Sequence, residues 1–241
     1  MAKKGKLKKF AKKEAKERTV RFRRYEYLFL IVCEDEKTEP SYFNKYIEYF
    51  PKETLYLKPV GTGRDPKGVV ERAIIEKGIL ELKAKKEVDF IWVVFDKDDA
   101  DENATKIKNF EDAFTIANNE NFEIAYSNEV FELWLLLHFI DVDKNTSIPR
   151  KEIYRLLKEE FQKIDGYKDY EYDHYKIDER TIEIVFKAGN QGLAIKRAEV
   201  LLEHHNENEN KPINANPSTK VHLLIKEILK WIKYFSYKPE N

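Results

Sequence analysis

Two runs of carboxylates mark where this sequence could do chemistry. Glu34-Asp35-Glu36 follows the apolar run LFLIVC (28–33) without a break, and Asp96-Lys97-Asp98-Asp99 follows FIWVVF (90–95) in the same way. Both apolar runs read as buried strands, rich in β-branched and aromatic residues. In open α/β sheets, ligands bind beyond the carboxyl ends of the strands, and both acidic runs sit at such ends. If the two strands are neighbours they lie about 4.8 Å apart, which lets Glu34 approach Asp96. Asp96 and Asp98 are two residues apart, so an extended segment turns both carboxylates to one side. Carboxylates gathered so closely repel one another and raise each other's pKa. A hard divalent cation, Mg²⁺ or Mn²⁺, relieves that conflict. The competing reading is that acids after strands only cap the following helices and meet their dipoles.

Glu132 is a third feature of this kind. It lies within VFELWLLLHF (130–139), where burial without a partner is costly. It either reaches the acidic edge as a ligand or base, or pairs with a cation such as Lys37. His138 nearby reads as a satisfied core histidine, and His204-His205 as solvated. No Cys/His cluster has zinc spacing. GTGRDPKG (61–68) contains G-x-x-x-x-G but continues Val69-Val70, so the Lys and Ser/Thr of a P-loop are absent. It reads as a tight turn with Asp65 capping a helix that starts at Pro66, and Arg64 stands where it could meet a phosphate.

The elements that must position these residues follow from periodicity. Strands are expected over 25–33, 54–60, 88–99 and 122–127. Helices are expected over 39–50, 69–85 and 104–118, with a buried one over 128–140. Strands that are apolar throughout and alternate with helices imply a mostly parallel sheet covered on both faces. Amphipathic spacing predicts helices over 149–161, 192–205 and 218–232, and the Tyr-rich stretch between the first two reads as a loop. The organisation is thus a basic arm (1–24), an α/β core (25–141) and a mostly helical part (142–241) packed on it.

Composition limits the classes of function. At 241 residues, with 42% hydrophobic and 13% aromatic residues, a sizeable core is available. The longest apolar stretch, LWLLLHFI (133–140), is too short to span a bilayer. One cysteine within an apolar run, and no signal-peptide pattern, fit a reducing, cytoplasmic setting. Residues 1–24 hold twelve Lys or Arg against Glu14 and Glu17, a charge of +10, so the rest carries −10 for a total of zero. A basic arm on an acidic body is suited to a nucleic-acid partner, or to folding back on that body.

Four blocks, IVCEDEKTEPSYF (31–43), WVVFDKDD (92–99), SNEVFELWLLLHF (127–139) and ANPSTKVHLLI (215–225), resemble the RloB-like family in sequence and order. That family is found with defence or restriction loci and is related to the Toprim fold. The resemblance implies a Toprim-like core in which a Glu after the first strand and a later D-x-D bind Mg²⁺ for phosphodiester chemistry; by position these are Glu34 and Asp96/Asp98. It also implies an ATPase partner of the AAA or ABC type. The sequence departs from the family's pattern at Asp35, where a glycine is usual, and at Glu129-Val130, where Pro-Cys is usual. Among the acids of the first run the resemblance singles out Glu34 and leaves Glu36 and Glu39 as supporting or helix-capping groups.

Together these readings make a Mg²⁺- or Mn²⁺-dependent nuclease the leading expectation. Glu34, Asp96 and Asp98 hold the metal, Glu132 or Glu36 completes the shell or acts as base, and Lys37 steadies developing charge. A non-catalytic nucleic-acid-binding or sensor subunit regulating the ATPase is the alternative, and nucleotidyl or phosphoryl transfer on the same site a third.

Overall fold

The computed structural model describes residues 24–173 and 179–237. The expected basic arm therefore lies outside the described residues apart from Arg24, which ion-pairs with Glu53 at 2.9 Å. Residues 174–178 of the Tyr-rich stretch lie outside them as well.

In chain order the elements are β1 (Tyr27–Cys33), α1 (Thr38–Asn44), β2 (Leu55–Gly61), α2 (Pro66–Ala84), β3 (Phe90–Asp96), α3 (Ala104–Asn119), β4 (Glu123–Asn128) and α4 (Glu132–Leu136), then α5 (Arg150–Gln162), α6 (Glu179–Ala188), α7 (Gln191–Glu207), β5 (Ser218–Thr219) and α8 (Val221–Ser236). The sheet has the order β2-β1-β3-β4-β5. Its first four strands run parallel and β5 joins antiparallel to β4. This is the α/β, mostly parallel, helix-flanked architecture of the Toprim-like class, with a helical C-terminal part.

β1 is central and buried on both faces, which is why its sequence is apolar without alternation. Leu28, Leu30 and Val32 share one core with Val93 and Phe95 of β3 beneath α2 and α3. Phe29, Ile31 and Cys33 share the other with Val94, α1, α4 and the C-terminal helices. Pro59 is accommodated because β2 is an edge strand, where a missing N–H breaks no inner ladder. Asp65 caps α2 as expected: its Oδ1 accepts from Gly68 N at 2.9 Å, and its Oδ2 accepts from Asn109 Nδ2 at 2.9 Å, tying α2 to α3.

Several elements differ from expectation. The buried helix over 128–140 is regular only over Glu132–Leu136, because Trp134 N, His138 N and Phe139 N bond three residues back, to Phe131 O, Leu135 O and Leu136 O. Ser218 and Thr219 form β5 where a helix start is expected; two small polar residues carry no periodic signal, and pairing Ser127 Oγ with Thr219 Oγ1 at 3.0 Å sets them. α6 has no counterpart in the expected elements. His205 is buried rather than solvated: its Nδ1 accepts from Asn210 Nδ2 at 2.9 Å, leaving Nε2 to donate to Pro217 O at 3.1 Å. His138 is a core histidine, with Nδ1 donating to Trp134 O at 2.9 Å, and burial pushes its pKa down to about 4.

Candidate active site

The register decides the site. Cys33 ends β1 opposite Val94, so the next residues of β1 and β3 leave the sheet side by side. Glu34 N donates to Val94 O at 2.9 Å, and Asp96 N donates to Glu34 Oε2 at 2.8 Å. The neighbour relation on which the acidic edge depends is therefore present, and Glu34 and Asp96 are locked together through the backbone.

The loop after β1 is shaped by its glycine turn. A Cβ on Gly61 would stand 2.5 Å from Glu36 Cα and 2.6 Å from Asp35 O, so only glycine permits this approach. Gly63, at φ +61°, donates its N–H to Glu34 O at 2.8 Å, and Thr62 Oγ1 donates to Cys33 O at 2.9 Å. GTGRDPKG is thus a backrest for the acidic loop. Glu36 is exposed, with its carboxylate against Gly63, and Lys37 is exposed too. Asp35 shapes the chain itself, since its carboxylate accepts from Lys37 N (3.1 Å), Thr38 N (3.0 Å) and the Thr38 hydroxyl, an Asx turn that starts α1.

Beyond this edge opens a cleft of about 210 Å³ lined by Glu34, Asp35, Glu39, Asp96, Asp98 and Glu132, with Thr38, Val130, Phe131, Tyr154 and Arg150. Arg150 is the only cationic side chain of that lining. Lys37, the cation expected from sequence, is absent from it, as is Glu36. A second cleft of about 150 Å³ shares Glu34 and Asp98 and continues past Asp65, Lys97 and Asp99.

Glu39, which by sequence reads as a helix-capping group, is 1% exposed. Its Oε2 accepts from Asp35 N at 3.2 Å, while Oε1 is buried with no hydrogen-bond partner. Asp96 shows the same asymmetry: Oδ2 accepts from Phe131 N at 2.9 Å and Oδ1 is buried without a partner. Asp98 adopts φ +45° and pairs with Arg150 at 3.2 Å, and Arg150 also pairs with Asp99. Lys97 points away, to Asp101 at 2.8 Å and Glu129 at 3.6 Å. Glu132 is buried and accepts from the Tyr172 hydroxyl, rather than pairing with Lys37. Tyr172 in turn stacks on Tyr154, with centroids 5.0 Å apart.

Burial and mutual repulsion set the protonation of this group. Burial pushes Glu34 up to about 8; the Asp96 amide opposes that, and Asp98, Asp65 and Asp35 reinforce it. Asp96 and Glu39 are held well above the usual range by burial and then by the neighbouring carboxylates. Burial raises Asp98 against the pull of Arg150, and raises Glu132 to about 7 against the Tyr172 hydrogen bond.

Hard oxygen donors, crowded negative charge and two buried unpartnered carboxylate oxygens are a chemistry that suits a divalent cation. As the side chains lie, no group of three or more His, Cys, Asp or Glu among the described residues is arranged to hold a metal ion. The donor set fits and its final arrangement is not assembled. Among the described residues no helix is long and apolar enough to cross a membrane.

A Toprim-like sheet with its acids gathered at the carboxyl ends of two adjacent parallel strands defines the class of protein. Within that class the chain belongs to the RloB-like protein family, whose profile matches residues 29–228. No curated protein and no solved structure gives a significant match.

Proposed function

We propose that the cleft is the active site of a divalent-cation-dependent nuclease that hydrolyses phosphodiester bonds in DNA or RNA, tRNA among the candidate substrates. The observation that carries this reading is the pair of buried, unpartnered oxygens, Glu39 Oε1 and Asp96 Oδ1, on a cleft lined by six carboxylates. Buried polar atoms without partners are rare in native proteins, and a cation bound in the cleft would satisfy these two. Glu34, Asp96 and Asp98 would hold Mg²⁺ or Mn²⁺, which when bound polarises a phosphate and lowers the pKa of an attacking water. The Phe131 amide fixes Asp96 in place. Glu132, poised near neutrality by burial, is suited to take the proton of that water. The family relationship supports a cytoplasmic anti-phage or abortive-infection role beside an ATPase of the AAA or ABC type, which is part of the proposal.

The test is cleavage of supercoiled plasmid, single-stranded DNA and bulk tRNA in Mg²⁺, with EDTA as control. Asp96→Asn together with Asp98→Asn keeps an acceptor for Phe131 N and the volume of both side chains. Cleavage should vanish in EDTA and in the double variant, with the melting curve still cooperative; undiminished cleavage by that variant sinks the assignment. One observation favours the non-catalytic alternative: Asp98 is engaged by Arg150 and the ligand set is not assembled. That reading predicts nucleic-acid binding indifferent both to Mg²⁺ and to the two substitutions.

A further inference from the structure

Arg150 is out of place in a site built to attract cations. It is the first residue of α5, and its backbone N donates to Glu129 Oε2 at 2.9 Å, which fixes the start of its side chain. The side chain is about a quarter exposed and lines the cleft. Its two terminal nitrogens have different partners. Nη2 is bonded to Asp99, whose carboxylate borders the neighbouring cleft, and Nη1 is 3.2 Å from Asp98 Oδ1. Asp98 is a residue that a cation at this edge would also claim. The same carboxylate therefore has two competing counter-ions, one fixed to the chain and one from solution.

A phosphodiester entering the cleft meets the opposite problem, because the lining carries six carboxylates and a single cationic group. A guanidinium presents planar, paired N–H donors that match phosphate oxygens, which a metal ion alone does not supply. We propose that Arg150 is the phosphate-recognition residue of this cleft, held by Asp98 until a divalent cation takes that carboxylate. This rests on the metal reading given above. Asp99 keeps the guanidinium anchored throughout, and the Nη1 edge freed from Asp98 turns its donors to the substrate phosphate. The exchange couples cation loading to substrate binding: without the cation the phosphate-binding group is occupied, and with it the group is released at the place where it is needed.

The test uses the full chain and reads binding, not turnover. MnCl₂ is titrated calorimetrically into wild type, Arg150→Ala, Arg150→Lys and Asp99→Asn, and inorganic phosphate is then titrated with and without saturating Mn²⁺. Circular dichroism and melting curves verify that each variant is folded. Wild type should bind phosphate only when Mn²⁺ is present. Arg150→Ala should bind Mn²⁺ about fivefold more tightly, the gain expected when a partly exposed ion pair no longer competes. It should also lose Mn²⁺-dependent phosphate binding by about tenfold or more, the size of a charge-assisted hydrogen bond. Arg150→Lys keeps the charge, so its Mn²⁺ affinity should stay near wild type and its phosphate affinity should be intermediate. Asp99→Asn removes the anchor of the guanidinium and so should weaken Mn²⁺-dependent phosphate binding. Equal Mn²⁺ affinity in wild type and Arg150→Ala, or undiminished phosphate binding by Arg150→Ala, overturns this proposal and leaves the metal reading standing. Failure of both proteins to bind Mn²⁺ overturns the two together.

Discussion

Replacing Glu132 by glutamine should stabilise the protein, and by an amount that depends on pH. The Glu132 carboxyl is buried and raised from 4.5 to about 7 despite the hydrogen bond from Tyr172. Between those two values the native state holds a proton that the unfolded chain has released, so native stability falls as pH rises through this window. At ~1.4 kcal/mol per pH unit, a gap of ~2.5 units amounts to ~3 kcal/mol by the time pH passes 7. Glutamine fills the same volume, accepts from Tyr172 and never ionises, so it escapes that cost. Urea denaturation of wild type and Glu132→Gln in EDTA should show no difference near pH 4, a growing difference above it, and a plateau above pH 7. For a chain of this length ~3 kcal/mol corresponds to about 6 to 12 °C in melting temperature. A constant offset at every pH, or a variant that is less stable at pH 8, would refute the argument. If Glu132 is also the base, the stabilised variant should be inactive, the trade expected of a residue kept for chemistry.

The glycine turn and the tyrosine pair give two further tests. Gly61→Ala places a methyl group 2.5 Å from Glu36 Cα, against backbone that cannot swing aside, so it should destabilise by about 1–3 kcal/mol and displace the acidic loop. Unchanged urea midpoints and unchanged Mn²⁺ binding would show that the loop does not lean on this turn. Tyr172→Phe removes the hydroxyl bonded to Glu132 Oε1, which holds its pKa down, so the pH at which Glu132 ionises should move above 7. Comparison with Glu132→Gln across pH reads that midpoint, and a downward move contradicts the assigned hydrogen bond.

What the sequence disclosed, and what it hid, divide along sequence separation. β1 and β3 were legible because each is buried on both faces and ends abruptly in charge, and the cap at Asp65 because its signal is local. Asp35 was within reach too: an acid three residues before Thr38 and five before Pro40 is the pattern of a turn opening a helix. Arg150 and Tyr172 were not legible. Arg150 lines the cleft from 52 residues beyond Asp98, Tyr172 bonds Glu132 from 40 residues beyond it, and nothing in their own neighbourhoods marks them. Glu39 failed for a different reason. In sequence it is one acid among several at a helix start, and only the packing of α1 against β2 and α6 shows that it is buried.

The contradiction that remains in the structure is itself informative. Elsewhere the described fold largely obeys local rules: apolar strands are covered, α2 and α3 are capped, and buried histidines are paired. At the ends of β1 and β3 those rules fail together, with carboxyls raised by burial, two of their oxygens unpartnered and Asp98 in a left-handed conformation. Asn128 Oδ1 and Trp134 Nε1 are also buried without partners, and other residues take positive φ, but among the described residues only this cleft combines raised carboxyls, unpartnered carboxylate oxygens and a left-handed residue. Local inconsistency concentrated at one place is what a functional site leaves behind, since chemistry requires groups that folding alone would reject. That Glu39 and Asp96 are acids lining the same cleft as Arg150 ties the stability of this edge to whatever positive charge arrives there.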